Sequence, residues 1–270
     1  MKAIVKYPGS KWRIAEWIIR FFPEHHSYLE PFAGSLAVLM NKPRSHIETV
    51  NDLDGDVVNL FQWIRDDPEK LAHEIYFTPY SRQAYDGAFQ AVPEGSLQKA
   101  VNFCIRLNMG HGFRTNGEKV GWKNDIQGRE RAYAARDWIT LPDRIMAAAV
   151  RLRGVQIECR PAIEVIRRFN FRNVLIYADP PYVLSTRRGR QYRHEMEDAG
   201  HEQLLLALLE HKGPVVLSGY DNGLYNRLLK GWHRKETTVY SQACSKKREI
   251  LWMNFRPAET EQLTLFGLEG

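Results

Sequence analysis

An apolar run at residues 173–178 is followed directly by Asp179, Pro180, Pro181 and Tyr182. Such a run is typical of a buried parallel strand, and the prolines end it because they lack the N–H that a ladder needs. Open α/β sheets bind ligands at the carboxyl ends of their strands. The carboxylate and the Pro180 carbonyl are two acceptors, and the Tyr182 ring is a flat π-face, which together suit a planar ring with an exocyclic amino group. A proline-rich turn capped by an aspartate is the structural alternative.

A glycine turn near the amino end is a second place where chemistry is expected. Pro8 and Gly9 predict the turn, and Ser10 is predicted to be the N-cap of a helix over residues 11–22. A turn that leads into a helix exposes backbone N–H groups, which favour an anion, and Lys11 adds a positive charge. The alternative is a surface helix with an N-cap and no bound anion, which would have the same sequence pattern.

The segment at residues 27–38 has the layout of a nucleotide-binding βα turn, with a short strand, a tight loop and a helix from about Ser35. Only Gly34 of a Gly-x-Gly-x-x-Gly pattern is present, which argues against a dinucleotide. Phe32 is predicted to pack either on a cofactor or in the core. The next strand ends at Asp52, at the spacing where Rossmann-type proteins place the acid that binds ribose hydroxyls.

The composition fits a globular protein with a polyanionic partner. The chain has 270 residues, 44% hydrophobic and 26% charged, with a net charge of +6. This charge favours nucleic acid, although a solvated basic surface would show it too. Three cysteines far apart in sequence indicate a reducing, cytoplasmic setting and no metal site. No apolar stretch approaches the length of a membrane span.

Residues 78–151 interrupt the βα rhythm and are predicted to be mostly helical. Within them, residues 110–124 are rich in glycine, basic and aromatic residues. Such a segment can bind phosphates and read base edges, and Arg114 and Asn116 are the predicted DNA contacts. A solvated loop with scattered charges is the alternative.

Two further basic segments are predicted to face DNA. Four arginines occur within residues 187–193, beside the end of the strand that carries Asp179. A second cluster joins the two strands of a predicted closing hairpin. The predicted contacts are Arg187, Arg188, Tyr192, Lys246 and Lys247. A solvated charged loop is again the alternative.

Taken in order, these motifs resemble the Dam-like, D12 class DNA N6-adenine methyltransferases with the α-type motif order. The resemblance implies a Rossmann-like α/β methyltransferase sheet with helices on both faces and a closing hairpin, plus a mostly helical inserted DNA-recognition domain. It divides the chain into an S-adenosylmethionine-binding catalytic domain (1–77 and 152–256), a target-recognition insertion (78–151) and a flexible tail (257–270).

The same resemblance implies roles for individual residues. Asp179 and the Pro180 carbonyl would accept the two hydrogens of adenine N6, and Tyr182 would stack on a base flipped out of double-stranded DNA. The implied residues for S-adenosylmethionine are Tyr7, Lys11, Phe32, Gly34, Asp52 and Asp179, with Tyr7 and Lys11 near its carboxylate end. No metal, membrane or protein partner is implied.

Two positions depart from the family pattern. Leu36 stands where the second glycine of Phe-x-Gly-x-Gly is expected, and Pro161 stands where relatives often have an Asp that meets the cofactor adenine. That contact then comes from backbone, from Arg160 or Glu158, or is missing. Methylation of RNA or a protein amide is an alternative function, as is a catalytically silent DNA-binding regulator.

Overall fold

The computed structural model describes residues 2–90, 92–124, 134–187, 189–240 and 246–258. Within them, one sheet is built from β1 (Ser27–Glu30), β2 (Ile47–Asn51), β3 (Gln156–Glu158), β4 (Val174–Ala178), β5 (Val215–Tyr220), β6 (His233–Tyr240) and β7 (Lys246–Met253). The helices are α1 (Ala15–Ile19), α2 (Ala37–Asn41), α3 (Gly55–Asp66), α4 (Pro68–Phe77), α5 (Arg82–Gln90), α6 (Ser96–Met109), α7 (Ala134–Ile139), α8 (Leu141–Leu152), α9 (Ala162–Arg168), α10 (Asp198–Leu209) and α11 (Gly223–Leu228), with a 3₁₀ turn at Leu184–Thr186.

The strand order is β3-β2-β1-β4-β5-β7-β6. Strands β1 to β5 pair in parallel, whereas β7 runs antiparallel to both β5 and β6. The chain order reverses between β1 and β4, and such a switch point is where a ligand crevice forms at the carboxyl edge. The sheet therefore confirms the predicted Rossmann-like arrangement with a closing hairpin.

Helices cover both faces of the sheet because the parallel strands are apolar on both sides. Along β4, Leu175 and Tyr177 belong to one buried cluster, with α3, α6 and α8. Val174, Ile176 and Ala178 belong to the other cluster, with α9, α10 and α11.

The described part of residues 78–151 holds helices α5 to α8, as the predicted insertion requires. Phe103 of α6 and Ile145 of α8 lie in the same buried cluster as Phe61 of α3. The inserted helices thus share a core with the sheet, and the domain boundaries remain a prediction.

The amino-terminal helix is shorter than the sequence predicts. Helix α1 covers only Ala15–Ile19, and Ser10 is not its cap. The Ser10 hydroxyl instead hydrogen-bonds the Ser35 hydroxyl at 2.7 Å, which fastens the glycine turn to the βα loop. The predicted helix over residues 11–22 was therefore wrong in its start and its cap.

No helix in the described ranges is long and apolar enough to cross a membrane. Most of the predicted tail, residues 259–270, lies outside the described residues.

Candidate active site

Asp179 directly follows β4 and lies at one end of a cavity. Its Oδ1 is 2.8 Å from the Lys11 ammonium, and its side chain is 18% exposed. The cavity has a volume of about 470 Å³ and is lined by both Asp179 and Asp52. Its size lies within the range of about 300–1,000 Å³ that is usual for small-molecule sites. The ends of β2 and β4 thus open into one space, as the motifs predicted.

Lys11 is buried among protein groups. Besides Asp179, its ammonium donates to the Gly9 carbonyl at 2.6 Å and lies 4.7 Å from the centre of the Tyr182 ring. A second carboxylate, Glu249, is 3.8 Å away. With these partners, the ammonium is directed at Asp179. Lys11 also lines the cavity, and its role at the carboxylate end of a cofactor stays a prediction.

Burial sets the ionisation of this pair. It raises the pKa of Asp179 to about 6; the Lys11 charge opposes this rise and the Glu249 charge adds to it. Burial lowers the pKa of Lys11, but the charges of Asp179 and Glu249 outweigh that effect and raise it. Asp179 is therefore an ionised acceptor at neutral pH and titrates close to it.

Tyr182 is buried beside the cavity rather than in its wall. Its hydroxyl donates to Glu249, and its ring meets Tyr220 with the ring centroids 4.3 Å apart. Neither Tyr182 nor Pro180 is among the lining residues, whereas Pro181 is. The rings that do line the cavity are Tyr7, Phe32, Tyr177 and Tyr192.

Asp52 forms the other end of the cavity and is held by backbone. It accepts hydrogen bonds from the Gly34 N–H at 2.8 Å and the Asp54 N–H at 2.9 Å. Burial raises the pKa of Asp52 to about 6 against the effect of these bonds. Asp54 also lines the cavity, and its Oδ2 is buried with no hydrogen-bond partner among the described residues. This end therefore offers fixed acceptors that suit ligand hydroxyl groups.

Gly34 and Gly9 have no side chain, so the Tyr7 and Tyr192 side chains can pack against the backbone there. Gly34 has φ +47°, and a Cβ there would lie 3.1 Å from the Tyr7 ring. Gly9 has φ +67°, and a Cβ there would lie 2.6 Å from the Tyr192 hydroxyl oxygen. The Tyr7 and Tyr192 rings are 6.0 Å apart, so both glycines shape the same wall.

Leu36 keeps the backbone conformation that the missing glycine would adopt. It has φ 53° and ψ 29°, in the left-handed region, immediately before α2. Its side chain is fully buried in the core and does not line the cavity. The departure at this position therefore alters the core rather than the cavity surface.

The segment at Pro161 does not reach the cavity. Pro161 precedes α9, and the Asn51 side chain holds the Arg160 backbone through bonds to its N–H and carbonyl. Glu158 pairs with Arg168. Glu158 and Arg160 do not line the cavity, whereas Leu53 and Asp54 do.

Arg187 is occupied by protein groups. It forms an ion pair with Glu195 in which the side chains are 7% and 6% exposed, and it donates to the Tyr182 carbonyl at 2.8 Å. This placement argues against the predicted phosphate contact. Arg188 lies outside the described residues. Tyr192 lines the cavity and thus lies where a bound base or cofactor would be.

The remaining predicted DNA contacts belong to the insertion and to the start of β7. Arg114 pairs with Glu118, and the Asn116 amide donates to the Arg190 carbonyl at 3.3 Å. Lys246 is exposed at the start of β7. Lys247 donates to the Thr186 carbonyl at 2.9 Å and lies over the Tyr220 ring. The insertion and the loop after β4 are therefore joined into one surface.

Several residues at the site were missed by sequence reasoning. Arg193 bonds Asp54 at 3.0 Å and Asp56 at 2.5 Å, which fastens the loop after β4 to the start of α3. The Glu249 carboxylate, on a strand far along the chain, accepts a hydrogen bond from the Tyr182 hydroxyl. The one signal for Glu249 was an acid between the basic residues 246–248 and the apolar residues 250–253. Among the described residues, no group of three His, Cys, Asp or Glu could hold a metal ion.

Comparison with known proteins gives consistent matches. The family described as D12 class N6 adenine-specific DNA methyltransferase matches residues 7–242. The chain is 29% identical over 109 residues to a DNA N-6-adenine-methyltransferase of Escherichia phage P1, covering 38% of this chain and 14% of that protein. It is 29% identical over 80 residues to a DNA adenine methylase of Vibrio cholerae serotype O1, covering 29% and 28%. It is 27% identical over 247 residues to the Retron Ec67 DNA adenine methylase of Escherichia coli, covering 86% and 82%. The match thus spans under a third of the first two relatives and most of the third.

Proposed function

We infer the activity of this protein from its family, because the chain belongs to the D12 class N6 adenine-specific DNA methyltransferases. We propose that it transfers a methyl group from S-adenosylmethionine to N6 of adenine in double-stranded DNA, inside the cell and in the cytoplasm. The observation that carries this proposal is the single cavity that joins Asp52, at the end of β2, to Asp179, at the end of β4. A donor held at the first carboxylate and an acceptor base held at the second would share one space.

The Asp52 end suits the cofactor. Asp52 and the unpartnered Oδ2 of Asp54 would accept the ribose hydroxyls, and Phe32 offers a ring face beside them. When bound, S-adenosylmethionine supplies an electrophilic methyl group on a positively charged sulfur. By binding the ribose, Asp52 and Asp54 would orient the methyl group toward Asp179.

The Asp179 end suits the adenine amino group. The N6 lone pair is delocalised into the ring, so N6 must move toward tetrahedral geometry before it can attack. Lys11 binds Oδ1 of Asp179, and we assign Oδ2 and the Pro180 carbonyl as acceptors of the two N6 hydrogens. Both would direct the lone pair at the methyl group, which is an effect of position and electrostatics. Tyr182 lies beside Lys11 and outside the cavity wall, so its ring would have to turn toward the cavity to stack on a flipped base.

Substitution of Asp179 tests this assignment. We expect Asp179→Ala and Asp179→Asn to keep DNA binding and to lose methyl transfer by about 10²–10³-fold, as when one aligned hydrogen-bonding partner is removed from a transition state. Single-turnover transfer of labelled methyl and DNA binding would be measured together. Asp221→Asn is the matched control, because Asp221 is an exposed acid paired with Arg234 and should leave both unchanged. An Asp179→Asn protein with full activity would refute the assignment.

The substrate class is tested separately. Sequencing that detects modified adenine in DNA of cells that express the protein should show methylation, and labelled methyl should pass to DNA rather than to RNA or protein. Saturable binding of S-adenosylmethionine without any methylated product would instead favour a silent DNA-binding regulator.

A further inference from the structure

Glu249 is a buried carboxylate of the closing hairpin that reaches the catalytic segment. Its side chain is 2% exposed. Its Oε1 accepts hydrogen bonds from the Tyr182 hydroxyl and from the Ser218 hydroxyl, the latter at 2.6 Å. Strand β7 pairs with β5 so that Glu249 lies opposite Tyr220, at the carboxyl edge of the sheet. Antiparallel pairing of β7 therefore brings this acid to the edge where Asp179 lies.

The Lys11 ammonium lies between two acids. It is 2.8 Å from Asp179 and 3.8 Å from Glu249. A buried charge destabilises a protein unless it is paired and hydrogen-bonded. Lys11 and Glu249 have hydrogen bonds, whereas Oδ1 of Asp179 has the ion pair with Lys11 and no hydrogen-bond partner among the described residues. Two carboxylates and one ammonium leave an excess negative charge, which favours a positively charged methyl donor in the adjoining cavity.

We propose that Glu249 is a positioning residue for methyl transfer, which holds the Tyr182 ring through its hydroxyl and holds Lys11 against Asp179. This inference rests on the proposed function of the same site. Glu249 does not line the cavity. It acts through Tyr182, whose ring lies under the Lys11 ammonium, and through Lys11, which fixes one oxygen of Asp179 and leaves the other for N6.

The substitution Glu249→Gln keeps an acceptor oxygen and removes the charge. We expect the rate of single-turnover methyl transfer to fall about 10²-fold, the size of effect that a small misplacement of reacting groups produces. The KM for S-adenosylmethionine and the affinity for DNA should stay within about twofold, because Glu249 contacts neither. Glu236→Gln is the matched control: this exposed acid lies on β6 and pairs with Arg248. Equal rates for Glu249→Gln and the control would overturn the proposal.

A second measurement does not depend on activity. Because the Glu249 charge raises the pKa of Asp179, removing that charge should lower it. The ionisable groups that face or electrostatically affect Asp179 are Lys11, Glu30, Tyr177, Tyr182, Tyr192, Tyr220, Tyr225 and Glu249. Carbon NMR titration of labelled aspartate, assigned with Asp179→Asn, should show a downward shift in Glu249→Gln and none in Glu236→Gln. The pH below which the rate of methyl transfer falls should also be lower in Glu249→Gln than in the wild-type protein.

The outcomes separate the two proposals. If the wild-type protein methylates no DNA, the proposed function is refuted. The NMR titration would still test the role of Glu249. An unchanged Asp179 pKa in folded Glu249→Gln protein would overturn that role. Should this variant not fold, Tyr182→Phe removes the hydroxyl and keeps the ring. We expect the rate of methyl transfer by Tyr182→Phe to fall about tenfold, because the ring loses the hydrogen bond that positions it. Full activity would contradict the proposal that Glu249 positions the Tyr182 ring.

Discussion

Asp52 and Asp179, two of the acids that line the cavity, titrate in the same pH range but would bind different ligands. Burial raises the pKa of both Asp52 and Asp179 to about 6. A protonated carboxyl is a poorer acceptor, so each acid loses its function as the pH falls through 6. We expect the methyl-transfer rate at saturating cofactor to fall below about pH 6 because of Asp179. The KM for S-adenosylmethionine should rise over the same range because of Asp52.

Substitution of Asp52 alone separates the pH effect on the KM from the pH effect on the rate. Asp52→Asn should raise the KM at all pH values and remove most of its pH dependence, while the acid limb of the rate remains. Steady-state profiles from pH 5 to 8 check this. A rate that is flat across that range in the wild-type protein would contradict the role assigned to Asp179.

Glu30, which also lines the cavity, makes the stability of the folded protein depend on pH. Burial raises the pKa of Glu30 to about 8, although the hydrogen bond from the Tyr28 hydroxyl opposes the rise. Because the folded pKa lies above the unfolded value of 4.5, the stabilisation is fully present below 4.5 and is lost as the pH rises through 8. The loss reaches at most about 1.4 kcal/mol per pH unit for one group.

Glu30→Gln should reduce this loss, because glutamine cannot ionise. Denaturant unfolding at pH 7, 8 and 9 is the measurement, since Asp52 and Asp179 are already ionised there and contribute little slope. We expect the unfolding free energy of the wild-type protein to fall over this range and that of Glu30→Gln to fall less. Identical slopes would show that Glu30 ionises normally in the folded protein.

At the scale of elements, the start of α2 is set by one left-handed residue. Leu36 has φ 53°, a conformation that costs a non-glycine residue about 1–2 kcal/mol. Its fully buried side chain offsets this cost, since truncating a buried leucine to alanine costs about 2–5 kcal/mol. The balance favours leucine, which is a physical reason why the usual glycine can be absent here.

Two variants test that balance. Leu36→Ala and Leu36→Gly should both lower the free energy of unfolding. Leu36→Gly should be the more stable of the two by about 1 kcal/mol, the reverse of the usual order in helices, because only glycine avoids the left-handed strain. Denaturant unfolding of the two proteins decides it. A less stable glycine variant would mean that Leu36 is not held in the left-handed region.

Local patterns predicted the elements, and long-range contacts decided the exceptions. The apolar run of β4 is encoded by neighbouring residues and was predicted. The prediction of a helix over residues 11–22 was wrong in its start and its cap, because Ser10 and Lys11 bond to Ser35 and Asp179 rather than to their own helix. A sequence pattern does not show partners so distant along the chain.

At the candidate site, too, the pattern of charges did not show which residues would pair with each other. Arg187 looked like a DNA contact among four nearby arginines, but the structure pairs it with Glu195 and buries it. Glu249 gave no motif, because its place beside Tyr182 follows from the pairing of β7 with β5. The cavity ends at Asp52 and Asp179 were predictable, since both acids directly follow strands of a parallel sheet.

On the scale of the whole molecule, strand direction separates two edges of the sheet. The carboxyl edge carries Asp52, Asp179 and, because β7 is antiparallel, the start of β7 at Lys246. The opposite edge carries the start of β6, just after the exposed Lys230. DNA that delivers a base to Asp179 must approach the carboxyl edge, so a net charge of +6 matters mainly through the residues on that edge.

Lys246 and Lys230 form a matched pair for this argument, because both are exposed lysines at opposite edges. A lysine that neutralises one phosphate contributes about 0.9 to the slope of log affinity against log salt. Lys246→Ala should therefore reduce that slope by about 0.9 and weaken binding similarly for all DNA sequences, whereas Lys230→Ala should change neither. DNA binding measured across a salt series distinguishes them. If Lys230→Ala reduced the slope and Lys246→Ala did not, DNA would lie on the wrong edge of the sheet to reach Asp179.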